Sequence, residues 1–330
     1  MIAPTFSYLN DVYFAEGVLE ETAALVSRYG ITRPFVVTDR YLSSQDIPKR
    51  AGFSGVPEFI DVETNPTEAV AREAHAFFRD EKCDGVVAIG GGSPIDLGKI
   101  VALMTGHAGP LSQYAINEGG PVSIDGVVPP VLAVPTTAGS GSEVGRASLM
   151  TVEDGRKLGF LSPRLLPLAA VCEPLVTASM PAVLTAACGM DAISHCVEAV
   201  ASSRPNPVAA AIANDGLARG VAHIARAIES GDDLVARGEM MMCAVEGGLA
   251  FQKGLGAVHS LSHPLGDSKP TSITACLTGC FCRLSLLTTR ATPKSPTKRS
   301  GRLSVATTCP LSSRAFWMKS GCRLDCPIWV

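Results

Sequence analysis

The chain has 330 residues, of which 46% are hydrophobic, and its net charge at pH 7 is -3, so its composition is globular and its length favours two domains. Its eleven cysteines lack the short, even spacing of a secreted disulfide scaffold, and we interpret them as reduced thiols. We see no charged N-terminal segment leading into an apolar run and no uninterrupted apolar stretch of about 18 residues. We therefore expect a soluble cytoplasmic protein with no membrane partner.

The first half of the chain alternates predicted strands and helices. FVVTD at 35–39 and DGVVAIG at 84–90 have the continuous apolar character of buried parallel strands, and helical spacing covers 68–81 between them. A glycine turn then leads into a helix, and PPVLAVPTT at 129–137 is a third strand. This alternation predicts a doubly wound α/β domain, which we place at residues 1–177.

From about Met180 the chain becomes Ala-rich, and its apolar residues recur at helical spacing. Three segments, 180–202, 207–230 and 234–263, each have the length and apolar face of a bundle helix. We therefore predict an all-helical second domain over residues 178–266.

The glycine turn after the second strand is a candidate anion site. Gly90, Gly91 and Gly92 allow close backbone approach, Ser93 suits a helix N-cap and Pro94 suits the first helical turn. Together they would direct amide N–H groups at a pyrophosphate. The alternative is a tight strand-to-helix turn that binds no ligand.

Two other strand ends favour a bound dinucleotide. Hydroxyl groups follow the third strand, at Thr136, Thr137, Ser140 and Ser142, where ligands of open α/β sheets collect. Asp39 closes the first strand and is placed to bind ribose hydroxyls, which would favour NAD over NADP because a carboxylate repels a 2′-phosphate.

Two pairs of residues predict a metal site in the helical domain. Asp191 and His195 stand four apart on one predicted helix, and His259 and His263 repeat that spacing on another. Each pair alone is also compatible with core histidines. A carboxylate with imidazoles and no thiolate suits Fe(II) or Zn(II), and the sequence does not choose between them.

These stretches resemble the iron-containing, or group III, alcohol dehydrogenases, and most of all the branch of NAD-dependent 4-hydroxybutyrate dehydrogenases. The matching segments fall in family order and are NPT at 65–67, GGGSPIDLGK at 90–99, PTTAGSGSEV at 135–144, MDAISHCVE at 190–198 and GLGAVHSLSHPLG at 254–266.

The resemblance implies a Rossmann-like N-terminal domain followed by a helical metal domain. It assigns the pyrophosphate to Gly91, Gly92 and Ser93, the adenosine half to Asp39 and Asn65, and the remaining cofactor site to Thr136, Thr137 and Lys157. It also implies that the intact protein is a homodimer.

The resemblance further implies a divalent cation, Fe(2+) or Zn2+, that polarises a small alcohol or aldehyde substrate while hydride passes to or from NAD. Asp191, His195 and His259 match three of four family ligands, and His263 matches a catalytic histidine that relays protons. The implied reaction converts 4-hydroxybutyrate to succinate semialdehyde. For the distal carboxylate we nominate Lys253 or Arg146.

After Gly266 the sequence changes character. Residues 268–330 carry a net charge of +9 against -12 for the first 267, and Ile273 stands where the family has its fourth metal-binding histidine. Codons for 272–275 can spell His-His-Gly in the shifted frame. We therefore interpret residues 267–330 as an out-of-frame tail, and the helical domain as incomplete.

Two alternatives stay open for the whole chain. One is a catalytically dead, truncated remnant that at most binds NAD, and with three ligands the 330-residue chain is expected to hold metal weakly. The other makes the basic tail a nucleic-acid arm, which requires salt-dependent DNA binding lost on truncation at Gly266. We expect no nucleic-acid partner.

Overall fold

The computed structural model describes Tyr8 and residues 10–261. Contacts between residues divide the chain into two compact units, with the boundary between Thr177 and Ala178.

The N-terminal unit contains a six-stranded sheet whose paired strands are all parallel, in the order β1-β8-β5-β4-β2-β3. These strands are β1 (Asp11–Phe14), β2 (Pro34–Val37), β3 (Glu58–Phe59), β4 (Gly85–Gly90), β5 (Val131–Pro135) and β8 (Ala169–Cys172). A separate antiparallel pair consists of β6 (Ala147–Thr151) and β7 (Lys157–Leu161).

Alternate residues of the central strands face two hydrophobic cores, one on each side of the sheet. Phe35, Val86 and Ala133 pack with the residues of one helical layer, and Val87 and Leu132 pack with those of the other. The helices of this unit are α1 (Thr22–Arg28), α2 (Arg40–Ser44), α3 (Ile47–Arg50), α4 (Glu68–Asp80), α5 (Gly92–Gly106) and α6 (Gly120–Ser123). A parallel sheet covered on both faces needs strands that are apolar throughout, and the predicted α/β class is confirmed.

The strand order brings the predicted cofactor residues to one edge of the sheet. From β2 the chain turns outward to β3 and then crosses to β4 on the other side of β2, and β5 follows beside β4. Gly90 pairs in register with Pro135. The segments that follow β2, β4 and β5 therefore emerge at a reversal of strand order, where open α/β sheets bind ligands.

The second unit contains three long helices, α7 (Ala182–Ala201), α8 (Pro207–Glu229) and α9 (Leu234–Ala250). Glycines allow these helices to approach closely. A Cβ at Gly220 would lie 2.6 Å from Ile193 Cγ1, and one at Gly247 would lie 3.0 Å from the Cβ of His195. Small residues at the crossings thus set the position of His195.

The prediction of one continuous helix over 234–263 is wrong. Helix α9 ends at Ala250, and Gly254 has φ 118°, a backbone conformation that interrupts a helix. A new helical turn covers 257–261. His259 therefore lies on a helical segment that is separate from α9.

Within the described residues, α7 alone has the length and mean hydropathy of a membrane span, and 67% of its apolar window is buried inside the fold. The core helix of a globular protein passes the same test, so this is weak evidence for a membrane segment.

Candidate functional site

The glycine turn leads directly into α5. Gly91 is the N-cap of this helix and makes no side-chain capping bond. The prediction that Ser93 is the N-cap is therefore wrong, because the helix begins at Gly92 and Ser93 already lies within its first turn. Gly90 has φ 153°, and a Cβ there would lie 2.5 Å from Pro94 Cγ. The turn thus requires glycine and leaves the first N–H groups of α5 without a side-chain cap.

The loop after β5 packs against this turn. A Cβ at Gly91 would lie 3.2 Å from Thr137 Oγ1, and one at Gly92 would lie 3.1 Å from Ser140 Oγ. The backbone N–H of Thr136 donates to Gly90 O at 3.0 Å. The structure therefore brings two predicted cofactor-binding segments together, with threonine and serine hydroxyls beside the helix N-terminus.

Three other predicted cofactor residues are located as follows. Lys157 Nζ donates to Asn65 Oδ1 at 2.7 Å, and Asn65 adopts a left-handed backbone with φ 57°. Asp39 is the N-cap of α2, and its Oδ1 accepts the N–H of Leu42 at 2.9 Å. Asp39 therefore orders the start of a helix besides any contact with a ligand.

A buried network that was not predicted from the sequence joins α5 to the loop after β5. Lys99 is fully buried, and its three N–H groups are shared among three carbonyl oxygens and Ser142 Oγ, which lie 2.6–2.9 Å from Nζ. Ser142 Oγ in turn donates to Asp96 Oδ1 at 2.6 Å, while the N–H of Leu149 donates to Asp96 Oδ2 at 3.0 Å. The sequence contained a signal for this network, since Asp96 and Lys99 are the two charged residues in the otherwise apolar segment GGGSPIDLGKIVALM.

Burial dominates the titration of this network. It lowers the pKa of Lys99 to about 8, although Asp96 and Glu143 oppose the shift. It raises the pKa of Asp96 against the attraction of Lys99, and it raises the pKa of Glu143 to about 7.

Glu143 should make folding stability depend on pH. Its ordinary pKa is 4.5, so between pH 4.5 and about 7 the folded state binds a proton that the unfolded chain has lost. The free energy of unfolding therefore falls as pH rises through this window. We expect Glu143→Gln to remove that loss and to stabilise the protein by up to about 3 kcal/mol above pH 7. Urea unfolding at several pH values measures this, with the exposed Glu153→Gln as control. If the free energy of unfolding changed with pH by the same slope in wild type and in Glu143→Gln, the prediction would be contradicted.

The second unit brings together the three predicted metal ligands. Asp191 and His195 lie one turn apart on α7, and His259 lies in the helical turn at 257–261. One potential ligand atom from each lies within 4.8 Å of the other two. The rings of His195 and His259 stack with centroids 4.5 Å apart, and His259 Nε2 lies 3.6 Å from Asp191 Oδ1. Two imidazoles and one carboxylate form a set that suits Fe(II) with open positions, or catalytic zinc.

Glu198 contacts His259 on the side of the ring away from Asp191. Its Oε2 accepts the N–H of His259 Nδ1 at 2.6 Å, and its Oε1 accepts the N–H of Val258 at 2.7 Å. Burial lowers the pKa of His259, but the carboxylates of Asp191 and Glu198 outweigh it and raise that pKa to about 9. Glu198 was not predicted as a site residue, although it follows His195 by three positions and Asp191 by seven on one helical face.

The structure does not support the other predicted role that it can test, which is that of Lys253. Lys253 is buried, and its Nζ donates to Ala199 O at 2.8 Å, so it caps the end of α7. Its nomination for a substrate carboxylate has no support from this contact. His263 and Ile273 lie outside the described residues.

The chain matches two family models. The model of iron-containing alcohol dehydrogenases covers residues 10–174, and that of the C-terminal region of the same family covers 185–305. Together they cover most of the chain.

Individual relatives and solved structures agree with the family models. The chain is 48% identical over 266 residues to a 4-hydroxybutyrate dehydrogenase of Cupriavidus necator, covering 79% of this chain and 70% of that protein. It is 32% identical over 258 residues to an NAD-dependent methanol dehydrogenase of Bacillus methanolicus, covering 76% and 67%. The crystal structure of a 1,3-propanediol oxidoreductase superposes with a TM-score of 0.78 and 33% identity, covering 86% and 77%. The chain belongs to the iron-containing alcohol dehydrogenase family.

Proposed function

We propose that this protein is an NAD- and divalent-metal-dependent alcohol dehydrogenase that interconverts 4-hydroxybutyrate and succinate semialdehyde. The observation that carries the proposal is the convergence of Asp191, His195 and His259 within 4.8 Å in a family of metal-dependent oxidoreductases.

The metal assignment follows from the donor set. Asp191, His195 and His259 would hold Fe(2+), or Zn2+ in its place, and a cation there would polarise a carbonyl or make an alcohol more acidic. Asp191 supplies the negative charge, and His259 is fixed from behind by Glu198. His263 is proposed as the proton relay from its match to the family motif.

The geometry of the first unit supports the proposed cofactor residues. Gly91, Gly92 and Ser93 begin a helix whose N–H groups suit a pyrophosphate. The further contacts that we propose come from Thr136, Thr137, Lys157, Asn65 and Asp39. The similarity to an NAD-dependent methanol dehydrogenase supports the choice of NAD.

The identity of the substrate is the most specific part of the proposal. It is supported by 48% identity to a 4-hydroxybutyrate dehydrogenase, while other relatives act on 1,3-propanediol or methanol. The test is NADH formation by the metal-loaded 330-residue protein with each of these three alcohols. We expect the highest kcat/KM for 4-hydroxybutyrate. A higher value for 1,3-propanediol would reject the substrate and keep the dehydrogenase.

Asp39 should set the preference for NAD over NADP. Asparagine keeps the helix-capping oxygen but removes the charge that repels a 2′-phosphate and binds ribose strongly. We expect Asp39→Asn to lower kcat/KM for NAD about tenfold, as for the loss of one charge-assisted hydrogen bond, and to raise it for NADP. Steady-state kinetics with both cofactors measure this, and the exposed neighbour Asp61→Asn is the control. If the ratio of kcat/KM for NAD to kcat/KM for NADP were unchanged in Asp39→Asn, Asp39 would not belong to the cofactor site.

The interpretation of the tail stays a prediction. Its basic composition supports an out-of-frame segment after Gly266, whereas the family match to residue 305 counts against it. Mass spectrometry of peptides from the protein in its natural host would decide. Peptides with the His-His-Gly frame would support the interpretation, and peptides of 267–330 as written would reject it.

We also propose a cytoplasmic homodimer. The described cysteines Cys83, Cys172, Cys196 and Cys243 are free thiols, as is usual in a reducing compartment. Light scattering on the purified protein tests the dimer, and a monomeric mass would reject it.

A further inference from the structure

The most informative contact outside the proposed ligand set is the one between Glu198 and His259. Glu198 is 6% exposed and lies on α7, the helix that carries Asp191 and His195. Its two carboxylate oxygens are used differently, one by the imidazole and one by the backbone at Val258. Helix α7 therefore carries the proposed ligands Asp191 and His195, and also Glu198, which contacts the third ligand, His259.

The contact between Glu198 and His259 determines which ring nitrogen of the imidazole carries a hydrogen. A carboxylate only accepts, so the 2.6 Å contact requires a hydrogen on Nδ1 of His259. In a neutral ring the lone pair then lies on Nε2, the nitrogen that is 3.6 Å from Asp191 Oδ1. Histidine ligands of metals usually donate their other N–H in this manner, which fixes both tautomer and ring orientation.

The backbone contact adds a second constraint. The helical turn at 257–261 follows a glycine-containing break, and Glu198 accepts the N–H of Val258 at 2.7 Å. A Cβ at Gly256 would lie 2.9 Å from Glu198 Oε1, so this segment packs directly on the carboxylate. Glu198 therefore holds both the ring and the backbone that carries it.

We propose that Glu198 is a positioning residue that presents Nε2 of His259 to the metal. The inference rests on the proposed metal site but concerns a residue outside its ligand set. Glu198 acts through His259, by holding its imidazole ring and the adjacent backbone at Val258.

Glu198→Gln separates this role from simple packing. Glutamine keeps the size of the side chain and an oxygen for the Val258 N–H, but its amide nitrogen only donates. The amide would favour the other His259 tautomer, with hydrogen on Nε2, which blocks the ligand position. The matched control is Glu246→Gln, a partly buried carboxylate on α9 that has no contact with His259 among those described.

The experiment is a Co(II) titration of the full chain, followed by visible absorption, together with urea unfolding of each metal-free variant. We expect Glu198→Gln to weaken Co(II) binding roughly 10- to 100-fold under conditions where the unfolding curve shows that it is folded, and Glu246→Gln to bind as wild type. The metal-free Glu198→Gln protein should unfold at a lower urea concentration, because it has lost the carboxylate that pairs with the buried His259 ring. Equal Co(II) affinity in Glu198→Gln and wild type would overturn the inference.

A second readout keeps the test decisive where the variant folds poorly or wild type binds no cobalt. Nitrogen-15 NMR of the wild-type protein should show an exchange-protected Nδ1–H for His259. Its absence would overturn the inference. Failure of wild type to bind Co(II) with this proton present would reject the proposed metal site and the presentation of Nε2 to a metal, and would leave only the orientation of the His259 ring by Glu198.

Discussion

Replacing Lys99 with methionine is expected to destabilise the N-terminal unit by about 3 to 5 kcal/mol, the usual effect of removing one partner from a buried charged network. Methionine fills much of the same volume but donates no hydrogen bond. The carbonyls of Ser142, Gly145 and Ala147 would then be buried without this donor, and Asp96 would lose its nearby cation.

The measurement is hydrogen exchange of the amides in β4 and α5, combined with urea unfolding. Because Lys99 ties α5 to the loop that flanks Gly91 and Gly92, we also expect weaker NADH binding by fluorescence. Lys49→Met replaces an exposed lysine and is the control. A loss below about 1 kcal/mol, typical of a surface substitution, would show that the network contributes little.

Replacing Asp191 with asparagine is expected to lower turnover about a thousandfold. Metal ions supply several kcal/mol of transition-state stabilisation, and each 1.36 kcal/mol corresponds to a factor of ten in rate. Asparagine keeps the shape of the side chain but removes the negative charge of the ligand set. Metal content and kcat should fall together, because both depend on the same carboxylate.

Asp215→Asn is the matched control, since it removes an exposed carboxylate from α8 in the same unit. We expect it to keep metal content and turnover within about twofold, as is usual for surface changes. A catalytically unimpaired Asp191→Asn protein would contradict the proposed metal site.

The sequence predicted those features that depend on periodicity and on residues close along the chain. Continuous apolar runs identify β2, β4 and β5, and the spacing of four between Asp191 and His195 places both on one face of α7. To predict that these two residues converge with His259, two separate helices had to be predicted. The second of them, over 234–263, was wrong because α9 ends at Ala250.

Contacts between distant segments were not predictable in the same way. The bonds from Lys99 to Ser142 and Gly145 join residues more than 40 positions apart, and a helical lysine ordinarily indicates an exposed face. The helix start at Gly92 depended on the backbone conformation at Gly90, since Ser93 was an equally good N-cap by residue type. Glu198 was visible on the helical face, but its partner became evident only in three dimensions.

Metal binding by the 330-residue protein tests the central claim most directly. Equilibrium dialysis against Zn(II) at increasing concentrations, compared between wild type and Asp191→Asn, measures it. Binding that saturates at one equivalent per wild-type chain, with weaker affinity than a four-ligand site and none above background in Asp191→Asn, is the predicted result. Equal zinc content in the two proteins at every concentration would contradict the account.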